Sequence, residues 1–322
     1  MNTLNNTLMN SFLSDWHGKP YYSLDSYLKN EYGEKVYKIA LDAGFTCPNR
    51  DGNIASGGCV FCSAGGSGEH AISTKGKNIN QQIEEGIQLF HNKKIGNKFI
   101  AYFQAYTNTY APVSVLRPLY EEALNHKNIV GISIATRPDC LPEDVLNLLA
   151  ELKRQYPGKF IWVELGLQTI HEKTARLIRR GYPLSVFEDA MIQLNAFDIP
   201  VIVHVILGLP GESFDDILET IKYLNRAGIW GIKLQLLHVL RDTLLAQWYE
   251  AGDVFVYSLE EYLHILTECI AHLDKDIVIH RVTGDGPKNL LIAPLFSLNK
   301  RLVLNSLQKE LKEKGITQGI KN

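Results

Sequence analysis

Residues 44–66 read GFTCPNRDGNIASGGCVFCSAGG and place three of the chain's five cysteines, Cys47, Cys59 and Cys62, in the spacing C-x11-C-x2-C. Two thiolates separated by two residues can ligate one metal centre, and the glycine-bearing excursion lets Cys47 return to it. Three cysteines without a fourth are typical of a [4Fe–4S] cluster that leaves one iron open for an exogenous ligand. The alternatives are a zinc knuckle, with His70 as the nearest fourth ligand, or three unrelated thiols.

Composition places the chain among ordinary globular proteins. It has 322 residues, 45% hydrophobic and 21% charged, with a formal net charge of −2, which excludes a disordered chain. No stretch approaches the ~18 uninterrupted apolar residues of a membrane span. The N-terminal sequence lacks the basic and apolar segments of a secretory signal, so we expect a cytoplasmic protein. Cys140 and Cys269 stand far apart from the cysteine loop and from each other, which makes a second cluster improbable.

Short apolar runs alternate with amphipathic segments along most of the chain. The runs predict strands at Val36–Leu41, Phe99–Phe103, Val130–Ala135, Phe160–Leu165, Pro200–Leu207 and Ile232–His238. Helical periodicity predicts helices at Asn80–Asn92, Val113–His126, Glu143–Tyr156, Glu172–Arg180, Pro183–Phe197, Phe214–Ala227 and Leu259–Leu273. Repeated βα units place parallel strands inside and helices outside. We therefore predict an α/β fold, a full or partial TIM-like (β/α) barrel with a C-terminal helical extension; the dinucleotide fingerprint of open sheets is missing.

This organisation predicts three segments: an N-terminal extension over residues 1–31, a barrel core over 32–240, and a C-terminal substrate-side and helical extension over 241–322. In a barrel, the C-terminal ends of the strands carry the chemistry. The cysteine loop follows the first predicted strand. Polar side chains lie at the ends of four others: Gln104, Ser133, Thr136, Glu164, Gln168 and His238. His204 lies inside an apolar strand, where we expect a hydrogen-bonded core histidine.

Five motifs in order along the chain resemble the radical S-adenosylmethionine (SAM) superfamily. They are the cysteine loop, YFQAYTNTYAPV at 102–113, ISIATRPDCL at 132–141, VELGLQT at 163–169 and GLPGE at 208–212. More narrowly, they resemble the Elongator-like YhcC/YtqA group of bacterial radical SAM proteins, from about residue 32 to about residue 300. Most of the superfamily spaces its cysteines C-x3-C-x2-C, whereas the longer spacing found here matches the Elongator-like branch.

The resemblance implies the cofactors and the residues that hold them. Cys47, Cys59 and Cys62 would ligate a [4Fe–4S] cluster, whose open iron is chelated in this superfamily by the amino and carboxylate groups of SAM. Arg180, twelve residues after Gln168, matches the position where related enzymes keep an arginine for the SAM carboxylate. The full set of residues expected to contact SAM is Gln104, Ser133, Thr136, Glu164, Gln168, Arg180 and His238.

The resemblance also implies a reaction. Radical SAM proteins cleave SAM reductively to a 5′-deoxyadenosyl radical, and the Elongator branch modifies carbon-5 of the tRNA wobble uridine. We therefore expect an enzyme that modifies this nucleoside side chain, with SAM, tRNA and an external reductant such as flavodoxin or ferredoxin as partners, and no membrane. One alternative is radical oxidation of a small, porphyrin-like molecule. The other is a metal-stapled RNA-binding protein without turnover.

Overall fold

The computed structural model describes residues 16–74, 76–90 and 96–322. The first fifteen residues of the predicted N-terminal extension, and the end of the helix predicted at Asn80–Asn92, therefore lie outside the described residues. Helix α1 (Leu24–Tyr32) precedes the first strand. The strands are β1 (Tyr37–Leu41), β2 (Phe99–Phe103), β3 (Ile129–Thr136), β4 (Phe160–Gln168), β5 (Val201–Leu207), β6 (Gly231–Leu236), β7 (Val239–Leu240), β8 (Val278–Arg281) and β9 (Leu291–Ala293).

The helices that follow α1 fill the gaps between the strands. They are α2 (Ile79–Gln88), α3 (Val113–Asn125), α4 (Glu143–Gln155), α5 (Glu172–Leu177), α6 (Leu184–Ala196), α7 (Phe214–Leu224), α8 (Leu244–Glu250), α9 (Leu259–His272) and α10 (Lys300–Glu313). Every predicted strand and helix is present, with small differences at the ends. The helix predicted at Glu172–Arg180 is shorter because the backbone of Arg179 turns to a φ of 56°, which ends a right-handed helix.

Seven parallel strands form one sheet within the described part of the chain, in the order β1-β2-β3-β4-β5-β6-β8. The sheet is curled, because side chains of distant strands meet across its concave face: Lys38 of β1 bonds Glu164 of β4, and Lys233 of β6 bonds Tyr102 of β2. The fold is therefore a partial (β/α) barrel, as predicted. The seventh strand, β8, comes from the segment predicted as an extension, and β7 pairs with β9 in a separate antiparallel ribbon.

Apolar side chains pack on both sides of the sheet. Outside it, the amphipathic helices bury their apolar faces against the outward residues of the strands, among them Ile39, Ile132 and Leu165. Inside, the end of the barrel opposite to the cysteine loop is plugged by Trp162, Ile100 and Ile202 together with Leu28 of α1. No helix in the described ranges is both long and apolar enough to cross a lipid bilayer.

Gly131 of β3 gives a first testable prediction. A Cβ at this position would lie 2.4 Å from the Phe160 ring, and that ring stacks on Trp162 with centroids 3.7 Å apart. We expect Gly131→Ala to lower the free energy of unfolding by about 1–3 kcal/mol, the usual cost of overpacking. Gly158→Ala is the matched control, since nothing lies within 4 Å of its added Cβ. Urea unfolding of both variants checks the prediction, and equal stabilities would contradict it.

Candidate cluster and cofactor site

The cysteine loop folds back on itself between Cys47 and Cys59. Asp51 and Ser56 form an antiparallel bridge across the excursion, and the Gly58 amide donates to the Asn49 carbonyl at 2.8 Å. Gly58 has a φ of +83°, and a Cβ there would lie 2.9 Å from Arg50 Nε. Glycine at this position thus permits the left-handed turn that returns Cys59 to the vicinity of Cys47.

The return of the chain is anchored on the barrel. The Val60 amide donates to the Ile178 carbonyl at 3.1 Å, and the Leu245 amide donates to the Val60 carbonyl at 2.9 Å. Arg50 donates to the Cys62 carbonyl at 2.9 Å and also bonds that of Ser63. These bonds fix the segment that carries Cys59 and Cys62 before any ligand binds.

The three loop cysteines are half-buried and line one cavity. Their sulfurs do not all lie within 4.8 Å of one another, whereas thiolates on one tetrahedral zinc, with bonds of about 2.3 Å, stand about 3.8 Å apart. The candidate fourth zinc ligand, His70, instead bonds the Asp285 carbonyl through Nε2 at 3.0 Å. Three soft thiol donors spread more widely than a single ion requires fit a polynuclear iron–sulfur cluster, with each thiolate on a different iron.

Burial raises the pKa of the Cys59 thiol to about 12, with the neighbouring Cys62 and Cys47 adding to it. Burial likewise raises the pKa of Cys62, which Arg50 opposes. Without a cation these thiols remain protonated at neutral pH, so assembly of a metal centre must release protons from the loop. The Asn49 amide, 3.4 Å from Cys59 Sγ, is placed to donate to a thiolate there.

The cavity extends from the cysteine loop into the barrel and has a volume of about 260 Å³. Six of the seven residues expected to contact SAM line it, namely Gln104, Thr136, Glu164, Gln168, Arg180 and His238. Ser133, the seventh, is fully buried beneath the cavity. The strand ends thus bring the sequence-predicted residues together around one space; contact with SAM stays a prediction for each.

Gln104 and Thr136 occupy the cavity wall beside the cysteine loop. Gln104 Nε2 donates to the Ser67 carbonyl at 2.7 Å, which ties the end of β2 to the loop. Thr136 Oγ1 lies 2.5 Å from Thr109 Oγ1. Each side chain therefore keeps one polar contact with the protein and has further hydrogen-bonding capacity toward the cavity.

Gln168 and Arg180 are held by backbone carbonyls at the end of β4. With its amide nitrogen turned to the chain, Gln168 donates to the carbonyls of Leu167 at 2.8 Å and Gly166 at 3.0 Å. The Arg180 guanidinium, 1% exposed, donates to three carbonyls, those of Tyr182, Leu167 and Thr169, and lies 3.4 Å from Glu172. Arg180 thus stabilises the backbone at the end of β4 through these hydrogen bonds. It would have to exchange these partners to bind a carboxylate.

Glu164 is the centre of a buried polar cluster on the cavity floor. Its Oε1 accepts from Lys38 at 2.6 Å and from Ser133 at 2.6 Å. Its Oε2 lies 2.7 Å from His204 Nε2 and accepts from Lys233. Four groups from four other strands thus converge on a carboxylate that is 0% exposed, so Glu164 and Ser133 hold the barrel interior together. His204 is hydrogen-bonded, as we expected, but it also lines the cavity.

The charged groups in this polar cluster shift one another's pKa values. Burial alone would raise the pKa of Glu164, but Lys233 and Lys38 outweigh it and hold that pKa well below its ordinary value. Burial, with the nearby charges of Lys38 and Arg281, lowers the pKa of Lys233 to about 7 against the opposing effect of Glu164. Burial and Lys233 lower the pKa of His204 to about 4. Glu164 is therefore ionised and His204 neutral at neutral pH.

His238, at the end of the β6 segment, carries a buried Nε2 without a hydrogen-bond partner among the described residues. Burial lowers its pKa to about 4, so the ring is neutral and one of its nitrogens can accept a hydrogen bond. A Cβ on Gly284 would lie 2.6 Å from the His238 ring. This close glycine and the unpaired nitrogen fit a polar ligand in the cavity, because a buried polar atom is normally satisfied.

The sequence reasoning missed two lysines, Lys38 and Lys233, that bond Glu164 on the cavity floor. Lys38 lies in the run VYKIAL and Lys233 in GIKLQL, where each is the single charge within an apolar strand. Such a residue points into the barrel by the alternation of the strand and needs a buried partner. A single lysine in an apolar strand could therefore have been predicted from the sequence as a buried, paired residue.

Comparison with known proteins finds relatives over nearly the whole chain. The description Radical SAM superfamily matches residues 49–224, and Radical_SAM C-terminal domain matches residues 229–313. YtqA of Bacillus subtilis (strain 168) is 44% identical over 301 residues, covering 94% of this chain and 92% of YtqA. These matches confirm the resemblance found in the motifs.

Two further proteins are more distant. The tRNA uridine(34) acetyltransferase of Dehalococcoides mccartyi (strain CBDB1) is 28% identical over 177 residues, covering 54% of this chain and 37% of that protein. Among solved structures, the archaeal Methanocaldococcus infernus Elp3 with an N-terminal deletion has a TM-score of 0.65 at 18% identity, covering 88% of this chain and 64% of that one. The structural likeness shows a shared fold.

Proposed function

The chain belongs to the radical SAM superfamily, and from that premise we propose that it is a [4Fe–4S]-dependent enzyme that modifies the C5 side chain of the tRNA wobble uridine. The observation that carries the first part is the convergence of three loop thiols and six of the sequence-predicted residues on one cavity. The second part is supported by the Elongator-like resemblance and by the more distant tRNA uridine(34) acetyltransferase relative.

Cys47, Cys59 and Cys62 would hold the cluster and leave one of its irons open to SAM. When bound, the cluster supplies the electron that cleaves SAM to methionine and a 5′-deoxyadenosyl radical, and an external reductant such as flavodoxin or ferredoxin replaces that electron. A hydrogen-abstracting radical suits an unactivated C–H bond, which has no acid–base route. The work of this chain is therefore to bind, orient and keep water away from the reacting atoms.

We assign a role to each cavity residue from its position. Gln104 and Thr136 would meet SAM beside the cysteine loop, and Gln168 and His238 on the wall formed by the ends of β4 and β6. Ser133 and Glu164 would act from below, by fixing the strands on which the wall residues stand. Arg180 would either bind the SAM carboxylate after exchanging its carbonyl partners or keep the β4 end in place.

The test is anaerobic reconstitution with iron and sulfide, followed by dithionite, SAM and tRNA from a strain that lacks wobble-uridine modification. We expect a brown protein that forms 5′-deoxyadenosine, and a mass change confined to the wobble nucleoside of digested tRNA. The control is the same tRNA with another base at position 34.

The possible failures separate the alternatives. Formation of 5′-deoxyadenosine with no change in any tRNA would reject the tRNA substrate and favour the small-molecule reaction. A colourless protein with stoichiometric zinc would reject the enzyme assignment altogether.

A further inference from the structure

The cysteine loop has an outer side that faces away from the cavity. On this side, the excursion of the loop packs against the turn that follows α5. A Cβ added to Gly181 in that turn would lie 3.2 Å from the Ile54 side chain. The Val60 amide donates to the Ile178 carbonyl at 3.1 Å. The end of α5 and the cysteine loop therefore form one continuous surface.

Four exposed side chains stand on this surface, and we call them the outer patch: Ile54, Arg176, Leu177 and Arg179. Ile54 is 46% exposed and Leu177 43%, although both are apolar. The Arg176 side chain is 74% exposed. None of these four residues lines the cavity. Aliphatic side chains exposed beside arginines, which are enriched in protein interfaces, fit a surface that another protein contacts.

The outer patch is positively charged. Residues 173–187 contain four cations and no acid, the cations being Lys173, Arg176, Arg179 and Arg180. The single acid of α5, Glu172, lies 3.4 Å from the buried Arg180 guanidinium. On the loop side, Asp51 is exposed and Arg50 is half-buried, so their charges offset each other. The excess of exposed cations attracts an acidic partner and repels a basic one.

Hydrogen bonds connect the outer patch to the cluster site. Asn49 Nδ2 donates to the Arg179 carbonyl at 2.7 Å and lies 3.4 Å from Cys59 Sγ. The Arg179 side chain is exposed, so a molecule seated on Arg179 is separated from a cluster ligand by one asparagine. Electron transfer slows steeply as the distance between donor and acceptor grows. A short bonded path of this kind therefore favours an electron donor as the molecule that docks here.

This step rests on the proposed function, in which an external reductant supplies the electron to the cluster. We propose that the outer patch is the docking site of that reductant, an acidic electron-transfer protein of the flavodoxin class. One electron passes from the reduced flavin of the partner to the cluster; the flavin is oxidised, the cluster is reduced, and no atom is transferred. Electron-transfer complexes are small, below about 1,200 Å² in total, so a compact patch is sufficient.

RNA is the other polyanion that these cations could attract. Proteins that bind single-stranded RNA stack its bases mainly on aromatic side chains, whereas the apolar members of the outer patch are the aliphatic Ile54 and Leu177. The outer patch also stands apart from the cavity in which the proposed substrate reacts. Docking of a protein explains both the aliphatic side chains and the position behind the cysteine loop.

The experiment measures the binding of an acidic bacterial flavodoxin to the anaerobically reconstituted holoenzyme by calorimetry, without SAM. The double variant Arg176→Glu with Arg179→Gln should bind at least about 10-fold more weakly at roughly 0.05 M salt, because surface charges steer and hold the partner. This difference should largely vanish at roughly 0.5 M salt, where exposed charges are screened. Leu177→Ala should weaken binding about threefold at both salt concentrations, because salt does not screen apolar contacts.

A control and a second readout separate docking from chemistry. Arg226→Glu changes an exposed arginine that precedes β6, at the end of the barrel opposite to the cysteine loop, and should leave binding within about twofold. The second readout is 5′-deoxyadenosine formation with two reductants. With dithionite, a small ion that needs no docking site, the double variant should match the unmodified protein. With reduced flavodoxin, its rate should fall at least about 10-fold.

The outcomes are distinct. Unchanged flavodoxin binding in the double variant, or no binding to the unmodified protein, overturns the docking site. The same proteins are titrated with tRNA, and a loss of tRNA binding with flavodoxin binding intact assigns the outer patch to RNA instead. Equal losses of activity with dithionite and with flavodoxin also overturn the proposal. If the unmodified protein forms no 5′-deoxyadenosine with dithionite, the proposed function fails, while the calorimetry still decides whether the partner docks here.

Discussion

Cys59→Ala is expected to reduce 5′-deoxyadenosine formation by at least about 100-fold, since loss of even an outer partner of a metal ligand commonly costs 10–100-fold. The physical reason is geometric: Cys59 sits at the point where the excursion returns to Cys47, and no described residue offers a replacement sulfur, because Cys140 and Cys269 are buried outside the cavity. The measurement is nucleoside formation and the iron content of anaerobically reconstituted protein. Cys47→Ala and Cys62→Ala should give the same result.

Cys140→Ala is the matched control for this loss. It removes one thiol whose nearest side-chain partner is Asp139, with the sulfur 3.8 Å from the carboxylate, and we expect iron content and nucleoside formation to stay within about twofold of the unmodified protein. If Cys59→Ala retained full iron and activity, or if Cys140→Ala lost both, the cysteine loop would not be the cluster site.

Glu164→Gln is expected to lower the free energy of unfolding by about 3–5 kcal/mol, because breaking a buried ion pair from one side leaves uncompensated charge behind. Here the change would strand two ammonium groups, Lys38 and Lys233, that now share the carboxylate. Urea unfolding followed by tryptophan fluorescence measures the loss of stability, since Trp162 and Trp230 lie directly beneath the polar side chains around Glu164.

The same substitution at the surface isolates the effect of burial. Glu151 pairs with Arg117 at 2.5 Å, with both side chains exposed, so Glu151→Gln should change stability by no more than about 1 kcal/mol. A further comparison replaces all three charges at once, as Lys38→Met, Glu164→Leu and Lys233→Met in one protein. This triple variant should be more stable than Glu164→Gln, because no charge is left unpaired. Equal losses in the surface and buried variants would contradict the argument.

The barrel could be predicted from sequence because its signals are local. Each strand is a short apolar run and each helix has its own periodicity, as in α4, where Val145, Leu148 and Leu152 share one face. The seventh strand was missed as part of the sheet because β8 spans only four residues and pairs with β6 across a long intervening segment. Pairing at that distance depends on tertiary packing, which a single strand pattern does not encode.

The candidate site also has a part that could be predicted from the sequence and a part that could not. The cysteines and the polar strand ends could be found from spacing, because residues at the C-terminal ends of parallel strands must meet. The hydrogen-bond partners of those residues could not be found from the sequence. That Arg180 is engaged by the carbonyls of Leu167 and Thr169 follows from the loop after β4, and that Glu164 bonds Lys38 follows from the curvature of the sheet. Both depend on the closed shape rather than on any local sequence pattern.

The cluster around Glu164 has a consequence for how the protein folds. Its bonds join positions far apart in the chain: 126 residues separate Lys38 from Glu164, and 131 separate Tyr102 from Lys233. Neighbouring βα units can assemble over much shorter loops, so we expect these ionic contacts to form late in folding, after the sheet has curled. Interactions that form after the rate-limiting step slow unfolding and leave the folding rate almost unchanged. We therefore expect substitutions in the Glu164 cluster to speed unfolding more than they slow folding.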